Sequence, residues 1–368
     1  MIRQRPVELL APARNVECAM AAVDHGADAV YIGAPRFGAR ASAGNSVEDI
    51  ARLVEYAHTF RVKVYVTVNT ILKDEELPET ERLVWALYRV GVDALIVQDM
   101  ALLELDLPPI PLHASTQMDN RTPEKVKFLH GLGFSQVVLA RELSLAEIQA
   151  VHEACDVPLE VFVHGALCVS YSGQCYVSQH CFGRSANRGE CAQFCRLKFD
   201  MVDSDGRMIE QGRHLLSLKD MNRGADLERL LDAGVTSLKI EGRLKDVAYV
   251  KNVTAWYRSR LDEIFKRRPE YRRASSGQVS LAFTPCLEKS FNRGFTRYFL
   301  DGRTPDIFSF HTPKSLGEEV GTVKDVRGKY IVVSGVKPFA NGDGLCFLDE
   351  QGNLQGFRVN RVEANKIY

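Results

Sequence analysis

The 368-residue sequence has no excess of charge of either sign. It contains 47 lysine and arginine residues and 47 aspartate and glutamate residues, so its formal net charge is zero. An overall field that would attract nucleic acid or an anionic membrane is therefore excluded, and such a partner would have to be held by a local patch. Hydrophobic residues make up 45% and charged residues 26%, which indicates a folded globular protein rather than a disordered or collagen-like chain.

Long apolar runs are also absent. No window approaches the 18 or so uncharged apolar residues that a membrane-spanning helix needs. The first 15 residues contain arginines at positions 3, 5 and 14 but no short apolar core and no small-residue cleavage site, so they do not resemble a secretory signal. We therefore expect a cytoplasmic protein without a membrane partner. The sequence gives no indication of the oligomeric state.

The sequence lacks the usual nucleotide-binding motifs but repeats one structural unit. There is no G-x-G-x-x-G after the first apolar run and no Walker phosphate loop. Instead, an amphipathic stretch, a glycine and a run rich in Val, Ile and Leu recur, which indicates a helix, its C-terminal glycine and a buried strand. The four clearest copies of the glycine and its strand are residues 26–33, 91–98, 133–140 and 234–241.

About nine such strands across the first 240 residues predict a parallel sheet covered by helices. Their number favours an α/β fold with a closed (β/α)8 TIM-like barrel, in which one candidate, residues 215–218, is an extra element. An open doubly wound sheet is the alternative. We place the barrel at residues 1–273 and a small all-β domain, built from short glycine-punctuated runs, at residues 274–368.

A barrel of this kind carries its chemistry at the C-terminal ends of its strands. The residues that end the predicted strands are unusually polar, which favours a pocket for an anion or another polar substrate. They are Arg14, Arg36, Arg40, Asn69, Gln98, Asp99, His113, Gln117, Arg141, Glu142, His164, Lys239, Glu241 and Arg243.

Residues 251–273 are locally basic. They contain eight basic and three acidic residues, a surplus of five. A solvated linker is the favoured interpretation of this segment, and a phosphate-contacting patch is the alternative.

The most informative feature is a group of cysteines. Nine cysteines in a long chain without an export signal do not suggest a disulfide framework, yet five of the nine lie between positions 168 and 195. Four of them are separated by six, fifteen and three residues: Cys168, Cys175, Cys191 and Cys195. Four thiolates suit zinc or an iron–sulfur cluster, and the wide first spacing favours the cluster because structural zinc sites usually pair ligands two to four residues apart.

The cysteine segment resembles the signature of a known family, the collagenase-like peptidase family numbered 32 in class U. The resemblance is carried by residues 160–168 and 173–178, and further by residues 8–13, 26–33, 237–243 and 291–295. The members of this family whose function is best understood resemble oxygen-independent hydroxylases. Their substrates are ribosomal RNA, transfer RNA and the ubiquinone ring. Residues 36–40 and 184–196 are most similar to the subgroup that makes 5-hydroxycytidine in 23S ribosomal RNA.

This resemblance implies a cofactor and a function. It implies a 4Fe-4S cluster held by the cysteines at 168, 175, 191 and 195 within an insertion at residues 164–198, loaded by the iron–sulfur assembly machinery, with prephenate as a co-substrate. We therefore predict an RNA base hydroxylase. The alternatives are hydroxylation of tRNA uridine, a collagenase-like peptidase and a structural zinc-binding module.

Roles for individual residues follow from that hypothesis. Glu241, His164 and Lys239 are the candidates for proton transfer. Contacts to carboxylate or phosphate are assigned to guanidinium groups, because a planar guanidinium grips such groups with two hydrogen bonds. The substrate-binding candidates are Arg36, Arg40, Arg188, Arg243 and Gln117.

Overall fold

The structure, a computed structural model, describes residues 4–39, 44–335 and 337–368. The helices are α1 (Val16–Asp24), α2 (Val47–His58), α3 (Leu77–Arg89), α4 (Pro123–Gly131), α5 (Leu145–Ala154), α6 (Val177–Phe182), α7 (Leu227–Asp232) and α8 (Val247–Arg267). The barrel region contains strands β1 (Arg5–Ala13), β2 (Ala29–Gly33), β3 (Lys63–Val68), β4 (Ala94–Val97), β5 (Leu112–Ala114), β6 (Gln136–Val138), β7 (Leu159–Ala166), β8 (Phe199–Val202), β9 (Met208–Arg213), β10 (Asp220–Asn222), β11 (Ser237–Ile240), β12 (Tyr271–Arg273) and β13 (Phe295–Thr296). The C-terminal strands are β14 (Thr322–Arg327), β15 (Tyr330–Ser334), β16 (Gly344–Leu348), β17 (Leu354–Arg358), β18 (Val362–Glu363) and β19 (Lys366–Ile367).

Eight parallel strands close into a barrel, as predicted. Strands β1 to β7 pair in sequence order, and β11 closes the ring by pairing with both β7 and β1. The extra element was predicted at residues 215–218, but the strand that lies outside the ring is β10, which pairs antiparallel with β7, while β13 pairs with β10. Residues 215–218 themselves lie just before β10, and Leu218 forms only an isolated bridge with Phe308.

Local signals in the sequence begin and end the helices that surround the barrel. Side chains of Asn15 and Ser46 accept hydrogen bonds from backbone N–H groups in the first turns of α1 and α2. The glycines of the repeated unit stand at positive φ between helix and strand, for example Gly26 at 101° and Gly234 at 93°. At Gly26 an added Cβ would also lie 2.4 Å from Cγ of Arg258, so this turn requires glycine.

The interior of the barrel contains polar groups toward the N-terminal ends of its strands. On β1, Leu10 packs with Tyr31, Tyr65 and Ile96 of neighbouring strands, and Glu8 shares this inward face because it lies two residues away. Tyr65 donates its hydroxyl to Glu8 Oε2 at 2.6 Å, and the Ser237 hydroxyl donates to Glu8 Oε1 at 2.8 Å. The carboxyl group of Glu8 is thus buried, but both of its oxygens accept hydrogen bonds.

Burial of Glu8 makes the stability of the fold depend on pH. Burial raises the pKa of Glu8 from 4.5 to about 7, and the nearby Glu160 adds to the rise. Between these two values the folded state keeps a proton that the unfolded state loses, so this group's contribution to the free energy of unfolding falls as pH rises. Glu8→Gln removes the contribution, and its melting temperature relative to wild type is expected to increase as pH is raised from 4.5 to about 7.5.

Thermal melting across this pH range, with exposed Glu55→Gln on α2 as the matched control, measures the effect. A melting-temperature difference for Glu8→Gln that stays constant across the range would contradict it.

The basic segment at residues 251–273 is not a solvated linker, so that expectation was wrong. Residues 271–273 form β12, which pairs with β1 and ties the end of α8 to the barrel. Three acidic partners of the segment come from elsewhere in the chain: Arg268 contacts Glu228 at 2.7 Å and Asp232 at 2.8 Å, and Arg273 contacts buried Asp28 at 2.9 Å. These ion pairs also neutralise much of the surplus charge that a phosphate-contacting patch would need.

The C-terminal strands form antiparallel sheets apart from the barrel, as predicted. One sheet has the order β14-β15-β19-β18, and β16 pairs with β17. Their small core contains Val333, Val359 and Ile367. The segment before them packs on the barrel, since Tyr298 and Ile307 share a buried cluster with residues of β6 and β7. The exact domain boundary stays a prediction. Within the residues that the structure describes, no helix is long and apolar enough to cross a membrane.

Candidate active site at the barrel mouth

A polar pocket lies at the C-terminal ends of the barrel strands. Side chains from at least six strands, or from the turns that directly follow them, converge there because parallel strands end at the same rim. The lining residues are Tyr31, Ala39, Thr67, Asn69, Ile96, Ser115, Thr116, Gln117, Arg141, Phe162, Lys239, Glu241 and Arg243.

Lys239 of β11 forms the floor of the pocket. Its ammonium group donates to Glu160 Oε1 at 2.6 Å, and Gln136 donates to the other oxygen of the same carboxylate at 2.6 Å. The Lys239 nitrogen also lies 4.5 Å from the centre of the Tyr31 ring. Burial lowers the pKa of Lys239, and the Glu160 carboxylate opposes that shift. The pocket therefore ends on a cation that is fixed in position and mostly removed from water.

Two arginines line the same pocket as this lysine. Arg141, which follows β6, donates to Glu241 Oε2 at 2.7 Å, and its guanidinium lies 3.7 Å from the centre of the Phe162 ring. Arg243, which follows β11, is buried and donates to the Thr67 hydroxyl at 2.6 Å. Stacking and hydrogen bonding hold both guanidinium groups in place, so the pocket offers positive charge with little freedom to move.

The structure brings four of the predicted catalytic and substrate-binding residues together in this pocket: Gln117, Lys239, Glu241 and Arg243. Two others make ion pairs away from it. Arg36 is exposed and contacts Glu79 on α3, and Arg188 donates two hydrogen bonds to Glu76, at 2.6 and 2.9 Å. Arg40 lies outside the described residues. Contacts of these three arginines with substrate stay a prediction.

His164 also lies away from the pocket. It belongs to β7, but its buried ring packs among Tyr249, Tyr257 and Phe295 beside α8 and β13. The Tyr257 hydroxyl lies 3.3 Å from His164 Nδ1, and burial lowers the pKa of His164 to about 4. A neutral imidazole that faces the helix layer does not contact the other candidates for proton transfer.

The cysteine insertion begins at the barrel mouth and is anchored there. Glu142 accepts the backbone N–H of Ser172 at 3.0 Å and lies 3.3 Å from the Ser172 hydroxyl. The next residue, Gly173, has φ of 75°, and an added Cβ would lie only 2.0 Å from the carbonyl oxygen of Gln117. The segment between Cys168 and Cys175 thus rests directly on the backbone of a pocket residue.

A second anchor holds the other half of the insertion. The bidentate pair between Arg188 and Glu76 is supported by a hydrogen bond from Arg188 to the backbone oxygen of Ile71 at 2.7 Å. Arg196 donates to the Leu167 carbonyl at 2.9 Å and to the Ser217 hydroxyl at 3.0 Å. Both ends of the insertion are therefore fixed to loops on the C-terminal side of the barrel.

The four predicted ligand cysteines influence one another electrostatically. Desolvation raises the pKa of the Cys168 thiol, Arg141 lowers it, and Cys195 and Cys175 raise it further. Desolvation likewise raises the pKa of Cys195, which Cys191 and Cys175 also raise. Among residues 4–39, 44–335 and 337–368, no three His, Cys, Asp or Glu side chains are placed to hold a single metal ion. The thiols are thus grouped without converging on one point.

Sequence reasoning did not assign a role to several pocket residues. Arg141 and Asn69 were among the polar residues at the ends of the predicted strands, and this position indicated that they could line a pocket. The sequence did not indicate that Tyr31 and Thr67 line the pocket. They lie inside strands, where side chains alternate between the two faces as in any barrel. The link between Arg141 and the Cys168 thiol requires the three-dimensional structure.

Comparison with known proteins identifies the family. Residues 14–308 match Peptidase family U32. The 23S rRNA 5-hydroxycytidine C2501 synthase of Escherichia coli (strain K12) is 55% identical over 357 residues, which cover 97% of this chain and 54% of that protein. This chain thus spans about half the length of that relative.

Two further relatives carry different names. The tRNA hydroxylation protein P1 of Bacillus subtilis (strain 168) is 36% identical over 337 residues, covering 88% of this chain and 78% of that protein. The collagenase of Porphyromonas gingivalis (strain ATCC BAA-308 / W83) is 29% identical over 377 residues, covering 97% of this chain and 89% of that protein. The match over most of the chain shows that it belongs to peptidase family U32.

Proposed function

We propose that this chain is an iron–sulfur-dependent, oxygen-independent RNA base hydroxylase that forms 5-hydroxycytidine in 23S ribosomal RNA. The observation that carries the proposal is the position of the cysteine segment, which rests through Gly173 on Gln117 at the rim of a cationic pocket. A redox centre at this position would lie next to bound substrate. The 55% identity with a 23S rRNA 5-hydroxycytidine synthase supports the choice of reaction and RNA.

For the cysteine group we propose a 4Fe-4S cluster in preference to zinc. Zinc draws four thiolates to one point at about 2.3 Å, whereas a cluster takes each thiolate on a different iron atom and keeps them farther apart. The thiols raise the pKa values of one another, which supports one group of four cysteines. When bound, a cluster would supply one-electron chemistry. Cys168, Cys175, Cys191 and Cys195 would hold it, and Arg141 would offset part of the thiolate charge.

The pocket would bind the substrates through its fixed charges. Its three cations, Lys239, Arg141 and Arg243, face two carboxylates, Glu160 and Glu241, which leaves a surplus of one positive charge. Such a surplus favours an anion, and the guanidinium groups of Arg141 and Arg243 are suited to a carboxylate group such as those of prephenate. Lys239 and Glu241 remain our candidates for proton transfer near the reacting base. That base must be unstacked from the RNA to enter the pocket.

A peptidase is the second candidate, because a collagenase is among the relatives. A cysteine peptidase would need a thiol of lowered pKa beside a histidine. Desolvation raises the pKa of Cys168, and the nearby His164 contacts Tyr257 in the helix layer instead. These two observations place proteolysis second.

Nucleoside analysis of RNA tests the proposal. A bacterial strain whose 23S rRNA lacks 5-hydroxycytidine would be complemented with the wild-type chain, and nucleosides from its purified 23S rRNA and tRNA would be quantified by mass spectrometry. We expect 5-hydroxycytidine to return in 23S rRNA while hydroxyuridine in tRNA stays unchanged. A gain of hydroxyuridine in tRNA alone would favour the tRNA reaction. No change in either RNA, with gelatin cleaved by the purified chain, would favour the peptidase.

A further inference from the structure

Three aromatic side chains of the cysteine insertion are exposed to solvent. Their exposed fractions are 46% for Tyr171, 57% for Tyr176 and 47% for Phe182. None of them belongs to a buried hydrophobic cluster of the described residues. Large apolar side chains grouped on one exposed segment mark a surface that binds a partner.

Two of these rings belong to the segment that is anchored at the mouth of the barrel. Tyr171 directly precedes Ser172, whose N–H is fixed on Glu142, and Gly173, which rests on Gln117. Tyr176 follows Cys175 at the start of α6. A partner that covers these rings would therefore lie beside the pocket that would receive an unstacked base.

The charges around the rings favour a polyanion. The guanidinium of Arg121, which is paired with Asp119 at 2.6 Å, lies 4.2 Å from the centre of the Tyr171 ring. Within residues 164–198, four basic residues, Arg184, Arg188, Arg196 and Lys198, face one acidic residue, Glu190, although Arg188 is already paired with Glu76. Aromatic rings and guanidinium planes interleaved with positive charge are what unpaired nucleic acid bases stack on. This positive charge would stabilise the binding of a protein partner less than the binding of a polyanion. RNA is therefore the favoured occupant of the surface.

We propose that Tyr171 and Tyr176, with the Arg121 guanidinium against Tyr171, form a stacking surface for the unpaired RNA bases that flank the base held at the barrel mouth. This inference rests on the proposed function, because it requires an RNA substrate. It adds a second set of contacts, which bind neighbouring bases independently of the pocket.

The test uses the full chain and a short single-stranded RNA of mixed sequence, labelled with fluorescein and carrying one 2-aminopurine. Loss of one aromatic–base stack is expected to weaken binding by about 5- to 150-fold, so Tyr171→Ala and Tyr176→Ala should each raise Kd by a factor in this range. Stacking quenches 2-aminopurine, and each alanine variant should lose part of that quenching. Tyr176→Phe keeps the ring and should bind like wild type.

Tyr88→Ala is the matched control, since Tyr88 is a 39% exposed tyrosine on α3, outside the insertion. Iron content and thermal melting establish that each variant is folded and loaded. Wild-type affinity and quenching in both alanine variants would overturn the inference while leaving the proposed function intact. A wild-type chain that neither binds nor modifies RNA would overturn both. A change of molar mass in sedimentation of the alanine variants, without a change in RNA affinity, would identify a second copy of the chain as the occupant and overturn the inference.

Discussion

Replacing any one of Cys168, Cys175, Cys191 and Cys195 with serine is expected to remove the bound iron and the hydroxylated nucleoside together. The physical reason is that a cluster needs a thiolate on each of its four corners and that a serine hydroxyl is a poor substitute for a soft thiolate. The pKa shifts that these thiols cause in one another support one group of four. Iron content and visible absorption of protein purified without oxygen, and 5-hydroxycytidine in complemented cells, measure the two losses.

Other cysteines of the chain provide matched controls for this experiment. Cys181 is exposed on α6 within the same insertion, and Cys346 is exposed in the C-terminal domain. Cys181→Ser and Cys346→Ser should keep both iron and activity. If a serine variant of one of the four assigned cysteines retains full iron and activity, that cysteine is not a ligand. Loss of iron in Cys181→Ser would show that Cys181 is a ligand in place of one of the four assigned cysteines.

The largest expected effect on stability is at Lys239. Lys239→Met leaves the carboxylate of Glu160 buried with Gln136 as its remaining side-chain partner among the described residues, since the side chains of the ion pair are 5% and 0% exposed. Removing one partner of a buried ion pair typically costs about 3–5 kcal/mol. We therefore expect a loss of this size in the free energy of unfolding, measured by urea denaturation at neutral pH.

Two further variants distinguish two causes of lost stability: an unpaired buried charge and a general loss of packing. Lys239→Met combined with Glu160→Gln removes the unpaired charge and should recover much of the lost stability. Lys73→Met breaks an exposed pair with Glu75, 3.8 Å apart, and should change stability by at most about 1 kcal/mol. Equal losses for the Lys239 and Lys73 variants would refute the claim that the pocket floor is a buried, charged pair.

The barrel could be predicted from sequence because its signals are local and repeated. Each of Gly26, Gly91, Gly133 and Gly234 marks the same turn from helix to buried strand, and all four have positive φ in the structure. The basic segment at residues 251–273 misled sequence reasoning for the opposite reason. Its acidic partners, such as Asp28 and Glu228, are distant in sequence, so their ion pairs appear only once the chain is folded.

The candidate site could be predicted in part for the same physical reason. The position of a residue at the end of a strand predicted Lys239, Glu241 and Arg243 as pocket residues, because all parallel strands of a barrel end at one rim. It failed for His164, since a register shift between β7 and β11 accompanies the turn of its side chain toward α8. The four-cysteine ligand set stays a prediction, and the cysteine spacing gave no indication of the contact of Gly173 with Gln117, which joins the insertion to the pocket.

The central claim is that a redox cluster stands at the mouth of an RNA-modifying barrel. Iron, acid-labile sulfide and zinc, quantified together on wild-type protein purified without oxygen, test it most directly. The account predicts close to four irons and four sulfides per chain and no stoichiometric zinc. One zinc per chain, without iron or sulfide, would contradict it and leave the cysteine insertion a structural metal site.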